Sequence, residues 1–325
     1  MRTGRIPLPV NRRAKAVREK DRTVLYLIAF AALALVTLIS WDKLKTAFFS
    51  PGGIMLRALP SADHYESEEN GTGIIRFDVL EIDEDVDRGI LFELLDAEAG
   101  SDINLYGDAP RVLIYHTHTT ESYLHAMETS WRTPDEDKNI VAVGRELAKI
   151  LSEEYGISAI HDTTNHEPPK LGTSYERSVV TMEYYKENYP SISLFIDLHR
   201  DAYELRDDAT MEDYAAVDDV VTLNGKKCAR IMFVVGTGEG KTGQGFSVKP
   251  DYKRNYAIAL ELTNYLNAIH PSLTRPIRVK TGRYNQHVGD CILVEVGHNA
   301  NTLEEALNAV PYLAAAIASL DDANR

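Results

Sequence analysis

The sequence predicts an α/β fold, with a mostly parallel sheet flanked by helices on both faces and preceded by an N-terminal transmembrane helix. Short apolar runs typical of buried strands alternate with amphipathic runs at helical spacing, which predicts the sheet and its helices. A run of 19 residues without charge near the N-terminus predicts the transmembrane helix. Three of the apolar runs lead directly into histidine or glutamate, so we expect a functional site at one edge of the sheet.

Composition narrows the class of protein. The chain has 325 residues, of which 44% are hydrophobic and 26% charged, as in ordinary globular proteins. Its net charge of −14 argues against nucleic acid as a partner, because phosphate binding requires a basic face. Basic residues concentrate in residues 1–22, where eight Lys and Arg outnumber two Asp and Glu, so the rest of the chain carries −20. Cys291 begins an apolar run, and we expect it to be a buried free thiol.

The uncharged run occupies residues 23–41, "TVLYLIAFAALALVTLISW". As a helix it would be about 28 Å long, which roughly matches the hydrocarbon core of a bilayer. It ends at Trp41 without a small-residue cleavage site, which favours an uncleaved anchor over a cleaved signal or a buried core helix. The excess of positive charge keeps residues 1–22 in the cytoplasm, so residues 42–325 are expected outside the cell membrane.

Residues 42–107 show no sustained apolar period and are predicted to form an extracytoplasmic stalk or linker region. Within it, residues 60–73 are polar and acidic, as in a linker. Residues 74–80 are compatible with a lone strand, and residues 88–100 with a short helix. The region is therefore expected to contain only local structure.

From residue 108 to residue 325 the pattern changes to alternating strands and helices, which predicts one domain, the candidate for the catalytic domain if the chain is an enzyme. The predicted strands are 111–116, 157–162, 192–199, 229–236 and 291–297. The predicted helices are 139–156, 174–190, 254–271 and 302–320. Such alternation specifies a parallel sheet with helices on both faces.

Metal-capable side chains follow three of these strands. "VLIYHTHTTESY" (112–123) contains His118 and Glu121, "SLFIDLHRDA" (193–202) contains His199, and "CILVEVGHN" (291–299) contains Glu295. Two imidazoles and one carboxylate can bind zinc and leave a position for water. A further carboxylate that is not a ligand can move protons between water and a leaving group. The four residues therefore indicate a hydrolytic metal site.

The motifs "VLIYHTHTTESY", "DLHRDA", "GRYNQ" and "VEVGHNANTLEEA" resemble those of the stage II sporulation protein P family, over roughly residues 108–320. The resemblance implies a zinc amidase-like fold and a zinc-dependent N-acetylmuramoyl-L-alanine amidase that degrades peptidoglycan during engulfment of the forespore. It also implies an endopeptidase activity on peptide cross-links, a single-pass anchor in the cell membrane, and stage II sporulation proteins D and M as partners.

The resemblance assigns His118 and His199 as zinc ligands, Glu121 as the carboxylate ligand and Glu295 as the catalytic residue. On that reading, Glu295 takes a proton from water and passes it to the leaving alanine nitrogen. Two rival functions remain at this point. One is a membrane-anchored scaffold that binds peptidoglycan without cutting it, and the other is a zinc carboxypeptidase that acts on free peptides.

Alternatives also remain for individual residues. His116 is either a ligand in place of His118 or a residue that orients a ligand. Glu136 or Asp137 is the alternative to Glu121 as the carboxylate ligand, since related amidases carry a glutamate at the start of the first helix. Arg200 either binds a substrate carboxylate or carbonyl, or pairs with the adjacent Asp201. Arg200, like His116, is therefore a candidate to orient a ligand or to contact substrate.

Overall fold

The computed structural model describes residues 74–76, 79–83, 85–124, 131–205, 208–240 and 248–321. The predicted basic head (1–22) and transmembrane anchor (23–41) lie outside these residues. Within the described ranges, no helix is both long and apolar enough to cross a membrane.

The described residues form ten strands and six α-helices. The strands are β1 (Ile74–Arg76), β2 (Leu80–Asp83), β3 (Val112–Tyr115), β4 (Ala159–His161), β5 (Leu194–Asp201), β6 (Val220–Leu223), β7 (Lys226–Ala229), β8 (Ile231–Gly236), β9 (Ile277–Lys280) and β10 (Cys291–His298). The helices are α1 (Arg88–Leu95), α2 (Ile140–Tyr155), α3 (Ser174–Asn188), α4 (Met211–Ala215), α5 (Tyr252–Ile269) and α6 (Leu303–Ser319).

Eight strands form one sheet in the order β1-β2-β9-β8-β10-β5-β3-β4, while β6 and β7 form a separate hairpin. Neighbouring strands are parallel except at the β1–β2 and β8–β10 junctions, which confirms the predicted mostly parallel sheet. Because β3, β5 and β10 are parallel neighbours, their carboxyl ends share one edge of the sheet. The reversed β8 and β9 have their carboxyl ends at the opposite edge.

Residues 74–80 do not form one lone strand. Two short strands, β1 and β2, pair with each other, and β2 continues the sheet by pairing with β9. Leu80 and Ile82 of β2 are buried in the main core. The sheet therefore includes strands from the region predicted as a stalk. The partner strand β9 lies about 200 residues further along the chain, so a local sequence pattern could not reveal this pairing.

Helices cover both faces of the sheet, although unevenly. On one face, α1, α2, α5 and α6 pack against the larger core, which includes Ile114 and Ile196. On the other face, Met182 of α3 packs with Leu113 and Phe195 in a smaller core. This alternation of neighbouring strand residues between the two cores is the period-two pattern of a strand buried on both sides.

Local sequence signals determine where α2 begins and ends. The Asn139 side chain accepts a hydrogen bond from the backbone N–H of Val141, which satisfies one of the free amides of the first turn. Gly156 follows the helix with φ of 67°, a conformation that glycine adopts without strain. Elsewhere, Cys228 and Cys291 are buried free thiols, as predicted for Cys291.

Candidate active site

Three segments bring the four predicted side chains to one edge of the sheet. The loop after β3 carries His118 and Glu121, and β5 carries His199. The Oε2 atom of Glu121 lies 3.2 Å from Nδ1 of His199, and the ring centroids of His118 and His199 are 5.5 Å apart. Glu295 on β10 lies directly opposite His199 in the β5–β10 register. The parallel pairing of β3, β5 and β10 thus assembles the site.

Glu121 and His199 stabilise each other's charged forms. Burial alone would raise the pKa of Glu121, but His199, Arg200 and His118 hold that pKa well below its usual value. Burial alone would lower the pKa of His199, but the carboxylates of Asp197 and Glu121 raise it well above its usual value. Both side chains are buried, so the contact is an ion pair with little screening by solvent.

Asp197 holds the other ring nitrogen of His199 and was not predicted from the sequence. It is fully buried, and His199 Nε2 donates to its Oδ1 atom at 2.8 Å. Thr117 donates two further hydrogen bonds to Asp197, one from its backbone N–H at 2.8 Å and one from its hydroxyl at 2.6 Å. The sequence did contain a signal for Asp197. Asp197 lies two residues before His199 in an apolar strand, so both side chains must lie on the same face of the sheet.

His118 has a carboxylate neighbour that the sequence did not indicate. Its Nδ1 atom is buried, has no hydrogen-bond partner among the described residues, and lies 3.6 Å from Glu167 Oε1. Glu167 accepts hydrogen bonds from the hydroxyl of Thr120 at 2.6 Å and from Arg132. Glu167 lies in the loop after β4, where no strand-end motif marked it.

The donor types fit a zinc ion, although their arrangement is not that of a formed site. Across the described ranges, no group of three or more His, Cys, Asp or Glu side chains is arranged to hold a metal ion. His118, Glu121 and His199 nevertheless supply two imidazoles and one carboxylate within contact of each other. The buried Nδ1 atom of His118 has no hydrogen-bond partner within the described ranges, which fits a nitrogen that binds a metal.

Glu295 is suited to accept and release a proton. Its Oε2 atom is buried and has no hydrogen-bond partner in the described part of the chain. Burial, followed by the nearby charge of Asp201, raises the pKa of Glu295 to about 8. A carboxyl group with a pKa close to neutral can act as a base in one step and as an acid in the next.

A family model described as stage II sporulation protein P matches residues 61–318. The chain belongs to the stage II sporulation protein P family. Stage II sporulation protein P from Bacillus subtilis (strain 168) is 31% identical over 225 residues, which are 62% of this chain and 49% of that protein. The chain therefore matches about half the length of this curated relative.

Solved structures with similar chain traces are distant in sequence. The catalytic domain of the CD27L endolysin targeting Clostridia difficile is 12% identical with a TM-score of 0.38, over 66% of this chain and 97% of that chain. An N-acetylmuramyl-L-alanine amidase from Mycobacterium smegmatis is 9% identical with a TM-score of 0.36, over 67% and 100%. The CwlD amidase from Clostridioides difficile, in complex with the GerS lipoprotein, is 14% identical with a TM-score of 0.36, over 66% and 97%.

In this member of the stage II sporulation protein P family, His116 contacts β5 and His161. Its Nδ1 atom donates to the Leu198 carbonyl at 2.8 Å, and its Nε2 atom is 2.8 Å from Nε2 of His161. Burial lowers the pKa of His116 to about 4. Burial and the neighbouring His116 lower the pKa of His161 to about 3. Both ring nitrogens of His116 therefore have partners outside the group of His118, Glu121 and His199.

Arg200 does not pair with the carboxylate of the adjacent Asp201, which was one of the two contacts considered from the sequence. Its guanidinium donates to the backbone carbonyls of Ser122, Trp131 and Asp201. Its backbone N–H donates to Glu121 Oε2 at 3.2 Å. The carboxylate of Asp201 instead pairs with Arg275 at 2.7 Å. Arg200 therefore ties the loop after β3 to β5 and contacts the predicted carboxylate ligand through its backbone.

Glu136 and Asp137 lie away from the two histidines. Both are exposed and pair with Arg145 of α2, at 3.8 Å and 2.8 Å respectively. Of the three candidate carboxylates, the structure brings Glu121 into contact with His199 and leaves the other two on the surface.

Proposed function

We propose that the chain is a membrane-anchored peptidoglycan hydrolase, a zinc-dependent N-acetylmuramoyl-L-alanine amidase that acts during sporulation engulfment. Membership of the stage II sporulation protein P family supports this function. The observation that carries it is the buried Oε2 atom of Glu295, on the strand beside His199, which has no hydrogen-bond partner in the part of the chain that the structure describes. A base without a partner next to two imidazoles and a carboxylate is the set of groups that metal-assisted amide hydrolysis requires. Cleavage of peptide cross-links belongs to the same proposal as a second activity.

His118, Glu121 and His199 would hold the zinc ion. When bound, zinc supplies a Lewis acid that polarises a carbonyl and lowers the pKa of water to roughly 7. Asp197 fixes the ring of His199 by accepting the hydrogen bond from its Nε2 atom. Arg200 fixes the carboxylate of Glu121 through its backbone N–H. These contacts reduce the freedom that the ligands would lose on binding the ion.

Glu295 moves the proton. Its Oε2 atom would accept a proton from the attacking water and donate it to the nitrogen of the departing L-alanine. Burial makes this carboxylate a stronger base than an exposed glutamate. A thiol nucleophile is disfavoured, because burial raises the pKa of both Cys228 and Cys291 and keeps the thiols protonated.

The location and partners of the enzyme are part of the proposal. A helix at residues 23–41 would anchor the chain, with the domain from residue 108 onward outside the cell membrane. Stage II sporulation proteins D and M are the proposed partners, as the family resemblance implies. In intact protoplasts, a tag before Arg22 should resist external protease while the chain beyond Trp41 is digested. Mature protein that begins after residue 41 would instead show a cleaved signal.

The activity is tested with the whole purified chain and purified sacculi. An amidase releases whole stem peptides with a new N-terminal L-alanine and leaves bare glycan strands. A carboxypeptidase would release only C-terminal amino acids, and a scaffold would bind sacculi without releasing peptide. Glu295→Gln is the matched control, since it keeps the shape of the side chain and removes its basicity. Equal release of stem peptides by the wild type and by this variant would reject Glu295 as the base.

A further inference from the structure

The motif "GRYNQ" (282–286) has no role in the proposed chemistry, yet its backbone is unusual. Tyr284 and Asn285 have φ of 47° and 55°, in the left-handed region that residues other than glycine seldom adopt. Two such residues in succession persist only where the surrounding contacts force the conformation. The contacts that hold this loop therefore indicate what it does.

The loop is anchored by two buried amide side chains. Gln286 accepts a hydrogen bond from the backbone N–H of Gly236 and donates one to the Val234 carbonyl, each at 2.7 Å. Asn285 is 2% exposed, and its Nδ2 atom donates to the Tyr175 carbonyl at 3.0 Å and to the Ser178 hydroxyl at 2.9 Å. Gln286 thus joins the loop to β8, and Asn285 joins it to α3.

The hydrogen bond from Asn285 to Ser178 is the first in a buried series of hydrogen bonds that reaches the site. The hydroxyls of Ser178 and Thr117 are 2.8 Å apart, and the Thr117 hydroxyl donates to Asp197 Oδ2 at 2.6 Å. Asp197 in turn accepts from His199 Nε2 at 2.8 Å. Ser178, Thr117 and Asp197 are each 0% exposed, so water does not compete for these bonds.

The chemistry of the groups fixes the direction of this chain. An ionised carboxylate only accepts hydrogen bonds, so the single proton of the Thr117 hydroxyl goes to Asp197. The Thr117 oxygen must then accept from Ser178, and the Ser178 oxygen must accept from Asn285. Every group is satisfied in this order, and removal of one donor leaves a buried acceptor without its partner.

We propose that Asn285, Ser178 and Thr117 are positioning residues that hold Asp197 and, through it, the ring of His199. The inference rests on the proposed function, in which His199 is a zinc ligand. With Nε2 bonded to Asp197, the Nδ1 atom is the nitrogen left for the metal, and Nδ1 already faces Glu121. The strained loop of the "GRYNQ" motif is the far end of this support.

The zinc affinity of the whole protein is measured by competition with a chelator. A change at Thr117 tests the end of the hydrogen-bond series that lies beside Asp197. Thr117→Val keeps the shape of the side chain and removes the hydroxyl. We expect its zinc dissociation constant to rise about 10–100-fold, as is typical when an outer partner of a ligand histidine is lost. Thr117→Ser keeps the hydroxyl and should stay within about twofold of the wild type.

Asn285→Gly tests the end of the hydrogen-bond series farthest from Asp197, because it removes the amide that donates to Ser178. Glycine is chosen because it tolerates the backbone conformation at that position. We expect a rise in the zinc dissociation constant of about tenfold, at the low end of such effects. Asn224→Gly is the matched control. Asn224 also has a positive φ, of 51°, and its exposed side chain donates to the Tyr312 hydroxyl, which is not part of the buried series of hydrogen bonds. This control should bind zinc as the wild type does.

A double variant tests whether Thr117 and Asn285 act through one series of hydrogen bonds or affect zinc affinity independently. Thr117→Val combined with Asn285→Gly should bind zinc little more weakly than Thr117→Val alone, because both changes interrupt one chain. Unchanged zinc affinity in Thr117→Val, with only a lower melting temperature, would overturn the inference. Fully additive losses would also overturn it. If Asn285→Gly does not fold, Thr117→Val and Thr117→Ser decide the matter. A wild-type chain that binds no zinc would reject the proposed function itself, and this inference with it.

Discussion

Two histidine clusters lie at the end of β3, and their electrostatic states are opposite. In the site cluster, His199 contacts the carboxylates of Asp197 and Glu121, which raise its pKa well above the usual value despite burial. In the second cluster, His116 and His161 hydrogen-bond to each other, and burial lowers their pKa values to about 4 and about 3. Burial is common to both, so direct carboxylate partners decide which histidines carry charge.

The covering helix also differs between the clusters. α2 lies over His116 and His161 at Gly144, where an added Cβ would be 2.8 Å from one ring and 2.6 Å from the other. Among the described glycines, none has a site-cluster residue as a near neighbour, and the site side chains contact carboxylates from loops and strands instead. The cluster of His116 and His161 is therefore part of the packing beneath α2, whereas His199 in the site cluster is held by ion pairs with carboxylates.

The largest effect that tests this comparison is expected at Glu295. Glu295→Gln should slow release of stem peptides by about 10²–10⁴-fold, because the amide is not basic near neutral pH. Zinc and sacculus binding should persist, since Glu295 is not a proposed ligand. Peptide release from sacculi and zinc content are measured on the same preparation. Near-wild-type release with zinc in place would contradict the assignment of Glu295.

The two clusters should differ in zinc binding. His118→Ala and His199→Ala should each lose most of the zinc, from about one ion per chain in the wild type. His161→Ala should retain it, because His161 belongs to the second cluster. Elemental analysis after dialysis measures the metal. Full retention of zinc in either of the first two variants would remove that histidine from the ligand set.

The carboxylate ligand can be identified in the same way. Glu121→Ala should lower zinc affinity strongly, because Glu121 contacts His199. Glu136→Ala is the surface control, and it should leave zinc affinity unchanged, because Glu136 contacts Arg145 instead. Chelator competition measures both. The reverse result would transfer the ligand role to the start of α2.

The smallest effect concerns stability against pH in metal-free protein. In the second cluster, the folded pKa values of about 4 and about 3 lie below the unfolded value of 6.5, so the unfolded chain takes up protons first. Stability should therefore fall as pH decreases from 6.5 towards 4, by on the order of 1–3 kcal/mol. His199 has a raised pKa and should act in the opposite sense, with a contribution that is present below pH 6.5 and lost as pH rises through its folded pKa.

Urea unfolding from pH 7 to pH 4 with a chelator measures this dependence. His161→Gln should flatten the fall below pH 6.5, because it removes one of the two histidines that resist protonation. A slope that is unchanged in this variant would show that other groups control acid stability.

The sequence by itself determined the order of most strands and helices and the edge where the site forms. Strand and helix periodicity depends on neighbouring residues, so α2 was predicted at 139–156 and is observed at Ile140–Tyr155. The parallel arrangement of β3, β5 and β10 follows from the same alternation. His118, His199 and Glu295 were therefore expected at one edge, and they lie there.

Only the tertiary structure decided the contacts between distant segments. It placed β2 beside β9, reversed β8, and chose Glu121 over Glu136 as the neighbour of His199. It also revealed Asp197 as the partner of His199 Nε2. The physical reason is that desolvation and hydrogen bonding depend on which groups meet in space, whereas periodicity reports only which face of one element is apolar.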